Sequence, residues 1–234
     1  MTTAIEQLKR KAAERAARYV ESGMRLGIGT GSTASHYVDV LAERLHSGAL
    51  TDIVGVPTSR ATEEHARSVG VPLATLDDEP HLDLTVDGAD EVGPGLDLIK
   101  GHGGALLWEK LVACASDRII IIGDSSKLVT RLGARVAMPV EVVAFGWSTH
   151  FPFLAQLGAR PVLRTRDGAP FATDGCNYII DCHFDGGIGD PVGVSTALKA
   201  RVGIVETGLF IGMADTAIIA TDDGIDVLER KTQQ

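Results

Sequence analysis

The chain is short of cysteine, of long apolar runs and of positive charge, and each shortage excludes something. Its three cysteines, Cys114, Cys176 and Cys182, are odd in number and form neither a C-x-x-C pair nor a Cys/His cluster. That usage speaks against a zinc site or a disulfide framework and for buried thiols in a reducing cytoplasm. No apolar run approaches the ~20 residues of a membrane span. The charged, helix-patterned stretch from Met1 to Val20 does not read as a signal peptide. Lys and Arg number 22 against 31 Asp and Glu, a formal net charge of −9. A surface of that sign repels phosphates, so neither nucleic acid nor an anionic membrane is an expected partner. An anionic ligand would need lysines and backbone N–H groups gathered in one place.

What is present is enough chain, 234 residues, for one large domain or two small ones. Thr3-x-x-Glu6 is a capping-box pattern opening a helix to about Tyr19. Apolar runs at Met24–Gly29, Ile53–Val56, Leu82–Val86 and Arg118–Gly123 read as strands, the last with four consecutive isoleucines. Helical patterns follow Gly31, Ser59 and Gly104, and Asp97–Lys100 is short and extended. Strands alternating with helices predict a mostly parallel, Rossmann-like sheet covered on both faces. Near Gly133 the pattern changes. Strands at Arg135–Val143, Arg160–Thr165, Asn177–Phe184 and Val202–Phe210 interleave with helices at Thr149–Leu157 and Pro191–Ala200. That βαββαβ order is the ferredoxin-like α+β motif. Asp222-Asp223-Gly224 between two strand patterns signals a hairpin. The expected division is α/β residues 1–132, with 211–234 returning to them, and a smaller α+β domain at 133–210.

Gly29-Thr30-Gly31-Ser32-Thr33 stands between a strand and a helix. Glycines let the backbone turn its N–H groups toward an anion, and the helix N-terminus adds a favourable dipole. A tight turn capped by Ser or Thr is the competing explanation. Gly29-x-Gly31-x-x-Ala34 also fits a dinucleotide fingerprint, but the next strand ends in Val56-Pro57-Thr58-Ser59 and not in the ribose-binding acid. No Walker lysine follows. A monophosphate fits better than a nucleotide.

Between Val86 and Glu109 the chain gathers acids, a lysine and flexible backbone. Asp87 and Asp90 bracket Gly88-Ala89 just past a strand end, where open α/β sheets collect ligands. Alone they would be an Asp-Gly turn. Lys100 and Gly101-His102-Gly103-Gly104 follow, and free N–H groups at the next helix start can stabilise a developing oxyanion. Glu109 lies on a nearly all-apolar helix, on the face of Ala105, Val112, Ala113 and Ser116. A carboxylate there is costly unless it has work, and desolvation raises its pKa toward a general base's range. Lys127 closes Gly123-Asp124-Ser125-Ser126-Lys127, again past a strand end, where an ammonium could balance a phosphate or an enolate oxygen. No second metal ligand accompanies His102.

These residues, in this order, resemble the type A ribose-5-phosphate isomerases. The stretches that carry the resemblance are Gly27–Ala34, Val86–Glu91, Ile99–Gly101 with Gly103–Leu106, Glu109-Lys110, Asp124–Lys127 and Pro139–Val142. The resemblance implies interconversion of ribose 5-phosphate and ribulose 5-phosphate, no metal or organic cofactor, and a homodimer or homotetramer with the smaller domain in the contact. It implies Glu109 as the proton carrier between C1 and C2, with Asp87 and Lys100 as its catalytic companions. Thr30, Gly31, Ser32 and Thr33 would meet the substrate, the last two at the phosphate. Asp87, Gly88, Ala89 and Asp90 would meet the sugar. Lys100, Gly101, His102 and Gly103 would stabilise the enediolate oxygen, and Lys127 and Lys9 would reach the phosphate end. His102 and Ser125 depart from the family's usual residues. Two other readings compete: a non-catalytic sugar-phosphate sensor, and a coenzyme A transferase with a covalent glutamyl intermediate.

Overall fold

The structure, a computed structural model, describes residues 3–231. Thr3 caps α1 (Ala4–Ala17) by accepting the Glu6 N–H at 3.3 Å. Glu6 does not close the capping box; its carboxylate turns instead to Lys9 and His36. In chain order follow β1 (Arg25–Ile28), α2 (Ser32–His46), β2 (Val54–Pro57), α3 (Arg60–Ser68) and β3 (Leu84–Gly88). Two short strands, β4 (Glu91–Val92) and β5 (Leu98–Ile99), precede α4 (Leu106–Cys114) and β6 (Ile119–Asp124). The next stretch holds β7 (Met138–Val142), α5 (Phe151–Gln156), β8 (Arg160–Leu163), β9 (Thr165–Arg166), β10 (Ala169–Pro170) and β11 (Tyr178–His183). The chain continues through α6 (Pro191–Lys199), β12 (Ile204–Thr207), β13 (Leu209–Phe210), β14 (Thr216–Thr221) and β15 (Gly224–Glu229). No helix among the described residues is long and apolar enough to cross a membrane.

The chain divides into two compact units. One takes the residues up to Ala89, Trp108–Lys127 and the chain from Met213 on; the other takes Asp90–Leu107 and Leu128–Gly212. The first is built on a six-stranded sheet of order β15-β14-β6-β3-β1-β2, parallel except for the β14–β15 hairpin. Period-two alternation sorts its side chains. Leu26, Ile28, Ile120 and Ile122 face the cluster built with α1 and α2, while Gly27 faces Val112 of α4. Ile120, Ile121 and Ile122 are all buried, so β6 is covered on both faces. Each such side chain contributes roughly 1.5–3 kcal/mol relative to exposure, which explains an isoleucine run in a central strand. Ala12, Ala13, Ala16 and Ala17 give α1 a small-residue face inside the same cluster.

The second unit carries an antiparallel four-stranded sheet of order β12-β7-β11-β8, the ferredoxin-like arrangement, with α5 and α6 contributing to its core. Asp167 and Gly168, at φ 53° and 80°, turn the β9–β10 hairpin. This unit is larger than residues 133–210. Its three-stranded sheet, β13-β5-β4, draws in Glu91–Val92 and Leu98–Ile99. The expected strand Val202–Phe210 breaks at Gly208, and Leu209–Phe210 leave the four-stranded sheet to pair with β5. A Cβ at Gly208 would lie 2.4 Å from the Lys100 carbonyl oxygen, so only glycine allows this crossing. Glu91 is 1 % exposed and binds the next segment: its carboxylate accepts N–H groups of Gly133, Arg135 and Val136 at 2.6–3.0 Å.

Candidate active site

The first unit gathers its polar residues at the carboxyl ends of its parallel strands. Reading across β6, β3, β1 and β2, that edge carries Asp124–Lys127, Asp87-Gly88, the Gly29–Thr33 loop and Thr58-Ser59. The chain order reverses between β3 and β1, the position where open α/β sheets bind ligands. Asp87 and Gly88 are the last residues of β3, inside the strand and not past its end as the sequence suggests. Asp87 is 2 % exposed, and its Oδ1 accepts the N–H groups of Thr30 at 3.0 Å and Gly88 at 2.7 Å. A Cβ at Gly29 would stand 2.1 Å from that same oxygen, so the glycine exists for this approach. Gly31 has φ 109° and caps α2 without a side chain. The N–H groups of Ser32 and Thr33 in the first turn therefore point out of the helix with no intrahelical acceptor. Ser32 is exposed and Thr33 buried.

Thr30 plays a part the sequence does not reveal. Its Oγ1 lies 2.7 Å from Thr58 Oγ1, 2.8 Å from Ser59 Oγ and 3.0 Å from Thr62 Oγ1. Ser59 donates to Thr62 at 3.1 Å, and Thr62 donates to the Gly29 carbonyl at 3.0 Å. Four hydroxyls thus tie the glycine loop to the start of α3. The signal in the sequence is Thr58-Ser59-x-x-Thr62, hydroxyls spaced as an N-cap and its third helical position.

Glu109 is 5 % exposed on α4. Two contacts set the helix against the sheet: Thr85 and Ser116 hydroxyls meet at 2.6 Å, and Val112 sits where a Cβ at Gly27 would be. From Ser116, two residues past the helix, back to Glu109 is roughly 10 Å at helical rise, and from Thr85 the strand reaches Gly88 over a similar distance. Glu109 is therefore level with the carboxyl end of β3. Lys127 closes the 3-10 turn after β6 and folds back over Gly123, whose Cβ would meet Lys127 Cγ at 3.2 Å. Asp124, 4 % exposed, caps that turn by accepting the Ser126 N–H at 2.9 Å. Lys9 Nζ pairs with Glu6 at 2.6 Å, and the other Glu6 oxygen meets His36 of α2 at 2.8 Å. The Lys9 hydrogen bond, then that of His36, holds the Glu6 carboxyl below its usual range. A hollow of about 600 Å³ lined by Val56, Leu73, Leu76, Trp108 and Val112 contains none of the predicted residues.

The second unit gathers Asp90, Lys100 and the Gly101–Gly104 loop. Asp90 Oδ2 accepts the His102 N–H at 2.9 Å. Lys100 is 3 % exposed, its N–H donates to the Gly208 carbonyl at 2.9 Å, and its ammonium lies 5.5 Å from the centroid of the Phe210 ring. Gly101 and Gly104 have φ 104° and 87°, and Cβ atoms there would strike Leu106 and the Phe171 ring. His102 and Gly103 are exposed. Arg164, inside the expected strand Arg160–Thr165, donates to the Gly101 and His102 carbonyls, each at 2.9 Å. Glu141 is buried, with Oε1 accepting from Thr173 at 2.8 Å and Asn177 at 3.0 Å. Burial pushes its pKa up, against the hydrogen bonds from Asn177, Thr173 and the Leu107 backbone. Among the described residues no group of three His, Cys, Asp or Glu side chains is arranged to hold a metal ion.

Three comparisons bear on this arrangement. Residues 54–224 match the family model of ribose 5-phosphate isomerase A (phosphoriboisomerase A). The chain is 52 % identical over 227 residues to a ribose-5-phosphate isomerase A of Synechococcus sp. (strain JA-3-3Ab), covering 96 % of this chain and 98 % of that one. It is 54 % identical over 222 residues to the Roseiflexus castenholzii protein of the same name, with 94 % of each covered. Among solved structures, a ribose 5-phosphate isomerase from Plasmodium falciparum superposes with TM-score 0.94 at 41 % identity, over 97 % of this chain and 100 % of that one. A D-ribose-5-phosphate isomerase in complex with phospho-erythronic acid superposes with TM-score 0.95 at 38 % identity, with the same coverage.

Proposed function

The chain belongs to the ribose 5-phosphate isomerase A family, and from that premise we propose which residues carry its chemistry. It is an aldose–ketose isomerase that interconverts D-ribose 5-phosphate and D-ribulose 5-phosphate through a cis-enediolate, in the non-oxidative pentose phosphate pathway. The sensor and coenzyme A transferase readings give way to that assignment.

Moving a carbonyl from C1 to C2 requires one base to take a proton from one carbon and return it to the other. It also requires positive charge at both oxygens while the enediolate exists. In the proposal Glu109 is that base. Its burial is the observation that carries the reading: the carboxylate is held out of water on a helix of the unit whose strand ends are where open α/β sheets collect ligands. Asp87, held by two backbone amides, and Asp90 meet the sugar hydroxyls, with Gly88 and Ala89 between them, and Asp87 assists ring opening. Lys100 with the backbone from Gly101 to Gly103 stabilises the enediolate oxygen. The first turn of α2 from Gly31 to Thr33, with Lys127, receives the phosphate. Lys9, drawn toward α2 through Glu6 and His36, adds to that end. The phosphate supplies remote binding energy that positions the reacting carbons. No metal or organic cofactor enters this scheme.

The proposed assembly is a homodimer or homotetramer in a reducing cytoplasm. Phe145 and Val202, 95 % and 94 % exposed, support a contact through the second unit, since both lie within two residues of the Val143–Gly203 backbone hydrogen bond. All three cysteines are free thiols, but only Cys182 is buried; Cys114 and Cys176 are exposed, against the expectation of buried thiols.

The test is Glu109→Gln, assayed for ribulose 5-phosphate formation and for solvent deuterium entering the substrate. Turnover falls by ~10²–10⁴-fold, the range for a lost general base, with little change in phospho-erythronate binding. Wild-type exchange and turnover in the variant would remove Glu109 from the mechanism.

A further inference from the structure

We infer that Arg164 is a positioning residue for the isomerisation, fixing the Gly101–Gly104 loop so that it presents Asp90 and the Gly103 N–H to the reacting sugar. The inference rests on the proposed placement of the enediolate oxygen at this loop. Arg164 lies between β8 and β9, anchored by its N–H to the Ile179 carbonyl at 2.8 Å. Its guanidinium is a fork with every edge committed. Nε and Nη2 donate to the two oxygens of Asp181 at 2.9 and 2.5 Å, and Nη1 donates to the carbonyls of Gly101 and His102. The two side chains are 13 % and 21 % exposed. The face of the guanidinium lies 5.9 Å from the centroid of Phe171, whose ring also fills the space beside Gly104.

Peptide geometry converts this grip into a direction. In a trans peptide the N–H points opposite to the C=O. Drawing the carbonyls of residues 101 and 102 to one nitrogen turns the N–H groups of residues 102 and 103 to the opposite edge. The first of these meets Asp90 Oδ2 at 2.9 Å and so orients that carboxylate. The second, on exposed Gly103, has no acceptor among the described residues. The cation behind both peptides also polarises them, which strengthens each N–H as a donor. A lysine ammonium cannot hold a bidentate carboxylate and two carbonyls in one plane.

The experiment uses Arg164→Met, Arg164→Lys and Asp181→Asn in the full chain. It reads kcat and KM for ribose 5-phosphate, Tm, and inhibition by two probes. Phospho-erythronate places a carboxylate where the enediolate oxygens form; ribitol 5-phosphate keeps the phosphate and carries only hydroxyls. The expected result is a kcat loss of about 10–100-fold, with KM within about threefold of wild type. Phospho-erythronate inhibition weakens in step with kcat, and ribitol 5-phosphate inhibition does not move. Arg164→Met shows the largest loss and Asp181→Asn the smallest. If Arg164→Met fails to fold, the other two decide. Wild-type kcat and phospho-erythronate inhibition in folded Arg164→Lys and Asp181→Asn, or a change confined to Tm, would overturn the inference. Lys100→Met separates the two levels. If it retains full activity, the placement of the oxygen itself fails. If it is inactive while the Arg164 variants are not, only the role of Arg164 falls.

Discussion

Two glycine loops in this molecule are built from similar residues and held by opposite means. The Gly29–Thr33 loop is backed by neutral hydroxyls, with Thr30, Thr58, Ser59 and Thr62 passing hydrogen bonds to the Gly29 carbonyl. The Gly101–Gly104 loop is backed by an ion-paired guanidinium. The difference follows from what each loop is proposed to meet. A phosphate carries the same charge throughout the reaction, so binding it aids substrate and transition state alike. The enediolate oxygen carries charge only at the crest, so its partners act on the rate. The first loop can be held by weak neutral bonds, because in the proposal the dipole of α2 already faces the anion. The second has little helix behind its donors and takes its polarisation from a side chain.

That contrast breaks most sharply at Gly104. The residue has φ 87°, and a Cβ there would stand 2.5 Å from the Phe171 ring, so alanine must move the loop. Gly104→Ala is expected to lower kcat by ~10²-fold, the consequence of displacing a reacting geometry by about an ångström, with KM little changed. Steady-state kinetics at saturating ribose 5-phosphate reads this directly. Gly31→Ala is the counterpart. Its φ of 109° and ψ of 174° lie where side chains are strained, yet nothing stands within 4 Å of the new Cβ. The strain, on the order of 1–3 kcal/mol, falls on the α2 cap alone. KM is expected to rise roughly tenfold with kcat held. Equal losses of kcat in the two variants would collapse the distinction.

A smaller effect sharpens the same contrast. Thr62→Val keeps the shape of the side chain and removes the hydroxyl that serves Gly29, Ser59 and Thr30. Leaving buried partners unmet costs about 1–3 kcal/mol, which lowers Tm by several degrees in a chain of this size. KM should rise by a small factor while kcat stays near wild type. Calorimetry and kinetics on one preparation check both.

How far the sequence showed these loops depended on whether their causes were local. Gly29–Thr33, Asp87, Asp90, Lys100–Gly103 and Glu109 stood out because glycines and charges cluster within short windows. The alternating strands and helices were legible for the same reason, through hydrophobic period. What braces the loops was not local. Arg164 reads as one more residue of a β-rich run, and its partners Gly101, His102 and Asp181 are between 17 and 63 positions away. Thr58, Ser59 and Thr62 look like an ordinary helix start until Thr30 is folded onto them. The break at Gly208 depends on a close approach to the Lys100 carbonyl, which no window of sequence contains. Pairing of β13 with β5 joins segments 110 residues apart and carries no periodic signal.

Glu141 gives the smallest effect and the clearest sign. It sits in β7 opposite Glu206 of β12, with Oε1 engaged by Thr173 and Asn177 and the whole carboxylate buried. Burial is the largest influence on it, and Glu206 adds like-charge repulsion, so its folded pKa lies above the ordinary 4.5. Between that value and the raised one, the native state holds a proton the unfolded chain has released. Stability from this group is therefore fullest below about pH 4.5 and is lost as pH rises through the folded value. Glu141→Gln keeps an acceptor for Thr173 and Asn177, removes the ionisation, and offers an N–H₂ in place of Oε2. Its Tm is expected to match or slightly exceed wild type at pH 8, and the margin is expected to shrink toward pH 5. A wild-type advantage that grows with pH would mean that the Glu141 charge stabilises the second unit, as the ion pair does at Arg164.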